Sequence, residues 1–323
     1  MLKWLVSACV AVCCTAPLAQ DAYPTRKPIT LVSPYPAGGA SDVLTRLLAE
    51  SLRKTLGQQV AVQNVTGAGG TIGSRFVAQA APDGYTLLLH HFGMATGPFL
   101  YKNLQFDPLQ SFEHIGLFAE TAFVLVGQKD FPPSNMKELA QHIKQHKDKV
   151  SFATGGVGSG GHLFGIILEK SLGTKVTQVL YRGAAPALVD VVAGRVDLLC
   201  DSPGPIAQHV KSGALKTFAL TGPRRLAGMP DVPTVAEAGF PELTMSLWYG
   251  FYAPKGTPKP IVERLSRALQ EAIKDPAVLA QLAKLDTQPF DVAQATPEGL
   301  HAKLASEMKH WGEVIQQAGV VPE

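Results

Sequence analysis

Residues 33–46, SPYPAGGASDVLTR, end a β-branched run (Ile29, Leu31, Val32) in prolines and a glycine pair, then open at once into a helical pattern. Glycine gives up more backbone freedom on folding than any other residue, so Gly38 and Gly39 weaken local order. What such a loop offers in return is bare N–H groups at a helix N-terminus, an arrangement suited to anions. The same construction returns in residues 150–170, VSFATGGVGSGGHLFGIILEK, where a strand, a glycine-rich loop and an apolar helix follow one another. Each helix start carries about half a positive charge and about four unpaired amides. Two such ends facing one another would hold a carboxylate with main chain alone.

The intervening sequence alternates between strand and helix patterns. Val43, Leu44, Leu47, Leu48, Leu52 and Leu56 recur at helical spacing, with Gly57 placed as a C-cap. QVAVQNV (59–65) reads as a strand. TGAGG and a helix around Ile72, Phe76, Val77 and Ala80 follow, then a PDG turn (82–84) and the strand YTLLLHH. AFVLVGQK and VSFAT are strands on either side of a polar helix at 136–146. TKVTQVLYRG and VDLLCDS flank a helix at 187–194, and LWYGFYAP precedes the amphipathic helix PKPIVERLSRALQEAIKDP. This order predicts an α/β protein in which each lobe is a mostly parallel sheet flanked by helices. The segments from Trp248 onward have no further α/β set to pair with, so they return to the first lobe. The expected lobes are 23–123 plus 248–323, and 124–247, with the ligand in the cleft between them.

A chain of 323 residues with 46% hydrophobic and 17% charged residues is long enough for two well-filled lobes. Its net charge of +3 argues against a nucleic-acid partner held by a basic face. At the N-terminus, Lys3, an apolar run from Trp4 to Cys14 and the small residues of TAPLAQDAYP form the pattern of a secretory signal peptide over 1–22. The run is too short for a membrane span, which needs roughly 20 residues. Cys9, Cys13 and Cys14 lie in that leader, and the Cys9 context comes too early for a lipid anchor. Cys200 is left alone in the mature chain, so neither an internal disulfide nor a cysteine metal site is expected. Export without an anchor points to the periplasm.

Rival chemistries fit less well. Residues 156–161, GVGSGG, satisfy G-x-G-x-x-G, but Tyr181 and Arg182 stand where a dinucleotide site needs an acid for the ribose. A nucleophile elbow around Ser159 would need glycine at position 157, where Val157 stands. His162 follows Ser159 closely enough to act as its base, but capping the helix or meeting a ligand suits it better. His90 and His91 adjoin in a strand, which predicts opposed side chains that cannot share a metal.

Six segments carry a family likeness, in order and across nearly the whole mature chain: YPAGGASDVLTRLLAESL, VQNVTGAGGTIGSRFVAQAAPDGYTLL, SFATGGVGSGGHL, YRGAAPALVDVVAGRVDLLCD, DVPTVAEAGFPE and WYGFYAPKGTPKPIVERL. Through them the sequence resembles the Bug-type periplasmic solute-binding receptors of the tripartite tricarboxylate transporter system. The resemblance implies a two-lobed Venus-flytrap that closes on a small organic acid and delivers it to inner-membrane permease subunits. It implies a monomer that needs no cofactor or metal and is not an enzyme. The matching ligand-binding positions are Tyr35, Ala37, Gly38, Gly39 and Asp42 in the first loop. In the second they are Thr154, Gly155, Gly158, Ser159 and His162. Tyr181, Arg182 and Asp201 match at strand ends, with an Arg182–Asp201 ion pair as the structural alternative.

This sequence departs from the family in two places. Its second loop has more glycine and fewer serine hydroxyls, and LHHFGMATGPFLY replaces a small, polar stretch. His91, Phe92 and Trp248 are therefore expected to shape a distal pocket for an aromatic mono- or dicarboxylate such as terephthalate. The alternatives are an exported hydrolase or dehydrogenase using residues 155–161, and a periplasmic sensor subunit.

Overall fold

The computed structural model describes residues 23–322, so the expected leader at 1–22 lies outside the described residues. The chain runs β1 (Ile29–Ser33), α1 (Ala40–Leu56), β2 (Val60–Asn64), α2 (Thr71–Ala78), β3 (Thr86–His91), α3 (Gly93–Leu100) and β4 (Phe112–Ala122). It continues with β5 (Val124–Gln128), α4 (Met136–His146), β6 (Ser151–Thr154), α5 (Gly160–Leu172), β7 (Thr177–Leu180), α6 (Ala184–Val192), β8 (Leu198–Asp201), α7 (Pro203–Lys211) and β9 (Leu215–Leu220). It returns through β10 (Ser246–Pro254), α8 (Lys259–Ala272), α9 (Pro276–Lys284), β11 (Thr287–Pro289) and α10 (Pro297–Gln317).

Two sheets result, a six-stranded one in the order β11-β4-β10-β3-β1-β2 and a five-stranded one in the order β7-β6-β8-β5-β9. β1, β3 and β10 are apolar runs buried on both faces, whereas edge strand β2 alternates in burial. Helices flank both sheets, as the β/α alternation predicts. The strand directions correct the expectation of mostly parallel sheets. β2, β1 and β3 are parallel, but β10 runs antiparallel to β3 and β4, and β11 antiparallel to β4. In the second sheet β6 is parallel to β7 and β8, while β5 is antiparallel to β8 and β9. The cause is the double passage between lobes. β4 carries the chain out of the first lobe and β10 carries it back, so the two lie side by side in opposite directions.

Several elements escape a reading by periodicity. The helix α3, GMATGPFL, carries glycine and an internal proline and reads as loop. It is helical because it packs on α10, where Gly312 admits the ring of Phe99. A Cβ on Gly312 would stand 2.8 Å from that ring. β4, α7 and β9 likewise lack the clean patterns that mark their neighbours.

Thr221 knots the two passages together. Its amide donates to the Phe123 carbonyl, and its hydroxyl accepts the Phe123 amide at 2.9 Å and donates to the Met245 carbonyl at 2.7 Å. The side chain is fully buried. Thr221→Val keeps the volume and strands one amide and one carbonyl, each costing about 1–3 kcal/mol when buried without a partner. Chemical denaturation is expected to show about 2 kcal/mol or more of lost stability, with Thr221→Ser recovering most of it. Wild-type stability in Thr221→Val would contradict this role.

Candidate functional site

The loop after β1 bends sharply enough that Gly38 adopts φ +83°, a left-handed conformation glycine reaches without strain. Gly39 is the N-cap of α1 at φ −77° and makes no side-chain capping bond. Asp42, in the first turn, is buried and turned back into the loop. Its carboxylate accepts the Gly38 amide, Arg46 Nε and Asn64 Nδ2, each at 2.9 Å. Burial by itself raises this carboxyl, but the bonds from Arg46, Gly38 and Asn64 outweigh it and hold the group at about 2. Among the described residues the amides of Ala40 and Ser41 have no protein acceptor, and both residues face the interlobe cleft.

The second loop mirrors the first. Ser159 caps α5 by accepting the His162 amide at 3.2 Å, and the Gly158 amide donates to His162 Nδ1 at 3.2 Å. Gly160 and Gly161 lie where the backbone meets other groups too closely for a side chain. A Cβ would stand 2.3 Å from the Phe123 ring at Gly160 and 2.6 Å from the Cys200 carbonyl at Gly161. A third helix start joins them. Gly183, at φ 109°, leads into α6 without a side-chain cap, and Ala184, Ala185 and Pro186 line the same cleft.

These ends border a cleft of about 810 Å³ between the lobes. One wall is aromatic. His91 stacks between Tyr35 and Phe92, with ring centroids 4.4 and 5.1 Å away, and Tyr101, Phe123 and Tyr249 extend the surface. Tyr35 donates its hydroxyl to the Gly69 carbonyl at 3.0 Å. The Gly93 amide donates to His91 Nδ1 at 2.9 Å, which leaves the ring proton on Nε2. Burial, and secondarily the neighbouring His90, push His91 well below its usual range, so it stands neutral in the wall.

Of the residues expected at the site, Tyr35, Ala37, Gly39, His91, Phe92, Gly155, Gly158, Ser159, Arg182 and Asp201 line this cleft. Gly38, Asp42, Thr154, His162 and Tyr181 do not. Asp42 braces the first loop, and Thr154 Oγ1 accepts the Gly156 amide at 3.3 Å. His162 supports the second loop, while Tyr181 donates its hydroxyl to Asp190 at 2.6 Å. Trp248 is fully buried and lies outside the lining, because alternation along β10 sends Leu247 and Tyr249 to the cleft instead. The opposed histidines are corrected as well. The His90 and His91 rings lie 5.1 Å apart, because β3 ends at His91 and the chain turns there. Among the described residues no group of three or more candidate ligands forms a metal site. The Arg182–Asp201 pair does not form, since neither takes part in an ion pair among the described residues. Gly69, Tyr101, Tyr249 and the start of α6 are lining positions that sequence reading missed. The alternation of LWYGFYAP could have marked Tyr249 in place of Trp248.

The brace at Asp42 titrates in a defined direction. A carboxyl held below its unfolded value stabilises the fold above about pH 4, and that contribution disappears as pH falls toward the folded value. Wild type is expected to be more stable than Asp42→Asn at neutral pH, the difference shrinking as pH falls below about 4 in acid-denaturation curves. A difference that persists at low pH would contradict the ionic brace.

The model of the tripartite tricarboxylate transporter family receptor matches residues 44–320. An Agrobacterium vitis protein, described as a UPF0065 protein in the TAR-I ttuE-ttuC' intergenic region, is 44% identical over 93% of this chain and 87% of its own length. The structure of periplasmic binding protein BugD is 42% identical with a TM-score of 0.79, covering 92% of this chain and 99% of BugD. MatC from Rhodopseudomonas palustris, solved with bound malate, is 33% identical with a TM-score of 0.78, covering 90% of this chain and 99% of MatC. The mixed α/β pair of lobes matches the fold of these relatives, and the chain belongs to the tripartite tricarboxylate transporter receptor family as a solute-binding receptor and not an enzyme.

Proposed function

We propose that this receptor captures a small organic carboxylate in the interlobe cleft, in the periplasm, and delivers it to inner-membrane permease subunits. Residues 1–22 serve as the cleaved export signal, and the lobes are 23–123 plus 248–323, and 124–247. One observation carries the reading: the uncapped amides at the start of α1 border the same cleft as the starts of α5 and α6. A carboxylate placed there meets several N–H donors and the positive ends of the helix dipoles. The malate bound in the similar MatC is an acid of this class. The aromatic wall of Tyr35, His91, Phe92, Tyr101, Phe123 and Tyr249 favours a flat ring between the carboxylates, so an aromatic dicarboxylate of the terephthalate type is the preferred ligand.

In a thermal-shift screen, terephthalate is expected to raise the melting temperature more than citrate does. Stabilisation by citrate with none by aromatic acids would reject the aromatic preference. Gly39 supplies a second test, because its backbone tolerates a side chain. A Cβ there meets only the Pro36 carbonyl, at 3.5 Å. Gly39→Val should fold with a loss of about 1 kcal/mol or less. It should weaken ligand binding at least about tenfold by calorimetry, since a branched side chain blocks approach to the Ala40 and Ser41 amides. Undiminished binding would remove the first loop from the site.

A further inference from the structure

A cleft that attracts anions holds an acid of its own. Asp201 ends β8, lines the cleft, and accepts the Ser202 amide on Oδ1 at 2.6 Å. No ion pair reaches it among the described residues. Its surroundings give little compensation. Cys200 beside it is a buried thiol, and its β5 partner across the register is the apolar Val124. The start of α5, which carries His162 in its first turn, packs against the Cys200 carbonyl through Gly161, and α7 contributes Ser202 and Pro203. Elsewhere in the lining, the loop before α6 carries Arg182, and the first lobe carries neutral His91 and Tyr249. Burial raises the Asp201 carboxyl above its ordinary value, and the Ser202 bonds offset this only in part.

A ligand carboxylate entering this cleft brings a second negative charge into the same confined space. Two carboxylates that share such a site do not both stay ionised, so one of them takes a proton. We propose that Asp201 becomes protonated as the ligand binds and donates a hydrogen bond to a ligand carboxylate, so that binding takes up one proton from solvent. This rests on the reading of the cleft as a carboxylate site. The proton enters on an Asp201 oxygen and stays in the hydrogen bond to the ligand, and no covalent bond changes. The ligand's far end is then an acceptor, which selects dicarboxylates over acids with an ammonium or an apolar tail at that position. Because the complex holds one more proton than the separated partners, affinity rises as pH falls, by up to about tenfold per pH unit.

Isothermal titration of the full mature chain with terephthalate and with malate, in buffers of differing ionisation enthalpy at about pH 7, measures this uptake directly. Wild type is expected to take up about one proton per ligand. Asp201→Asn, whose amide donates without titrating, should take up about none and bind with an affinity flat between about pH 6 and 8. Ligand binding by wild type without proton uptake would overturn the proposal and leave the carboxylate reading intact, as would uptake that survives in Asp201→Asn. Failure of wild type to bind either acid would remove the carboxylate reading first, and this inference with it. Should Asp201→Asn not fold, infrared difference spectra of wild type decide the matter. A protonated-carboxyl stretch that appears on binding and ignores ¹³C labelling of the ligand supports the proposal, and its absence refutes it.

Discussion

Uncompensated backbone amides at facing helix starts are the constraint around which this molecule is organised. A helix beginning without a side-chain cap leaves donors unsatisfied, and here Ala40, Ser41, Ala184 and Ala185 find no acceptor among the described residues and border one space. Such a start persists in a fold only where water or an anion meets it. The surrounding architecture maintains the condition. β1 and β6 deliver their loops to the lobe junction, and the double passage through β4–β5 and β9–β10, fastened at Thr221, holds the two lobes across from one another.

Glycine in these loops answers to more than one demand. At Gly38 and Gly158 the backbone is left-handed, whereas at Gly160 and Gly161 neighbouring groups crowd the Cβ position from the Phe123 ring and the Cys200 carbonyl. Gly39 answers to neither, having an ordinary φ and room for a side chain. On the proposed reading, its bareness leaves room for a ligand to approach from the cleft. The first loop therefore carries the stronger functional signal, although the second has more glycine.

Much of the fold was legible because its elements follow the rules of local chemistry. Buried strands such as TLLLHH, the amphipathic α8 and the Gly57 C-cap announce themselves by composition and period. What escaped was set by tertiary context. α3 is a helix despite its glycine and proline because α10 covers it, and the sheets are mixed because the chain must leave and return through one junction. The cleft was legible at its glycine loops and less so elsewhere. His162 and Tyr181 carry groups able to meet an anion and Asp42 carries a carboxylate, but each is turned toward its own loop or helix. That choice depends on partners such as Asn64 and Asp190, far away in sequence or on another element. Strand alternation in β10 settles Tyr249 over Trp248, but only once the buried face is known.

The receptor's selectivity, on this account, divides between two kinds of surface. Main chain grips charge and is indifferent to the ligand's body, while the Tyr35–His91–Phe92 stack and Tyr249 judge shape. A crystal structure with terephthalate or malate bound tests the division most directly. A ligand carboxylate oxygen is expected within about 2.7–3.2 Å of the amide nitrogens of Ala40 or Ser41 and of the second-lobe helix starts. A ligand lodged elsewhere, such as the groove beside His114 and His301, or held in the cleft by side chains alone, would contradict it.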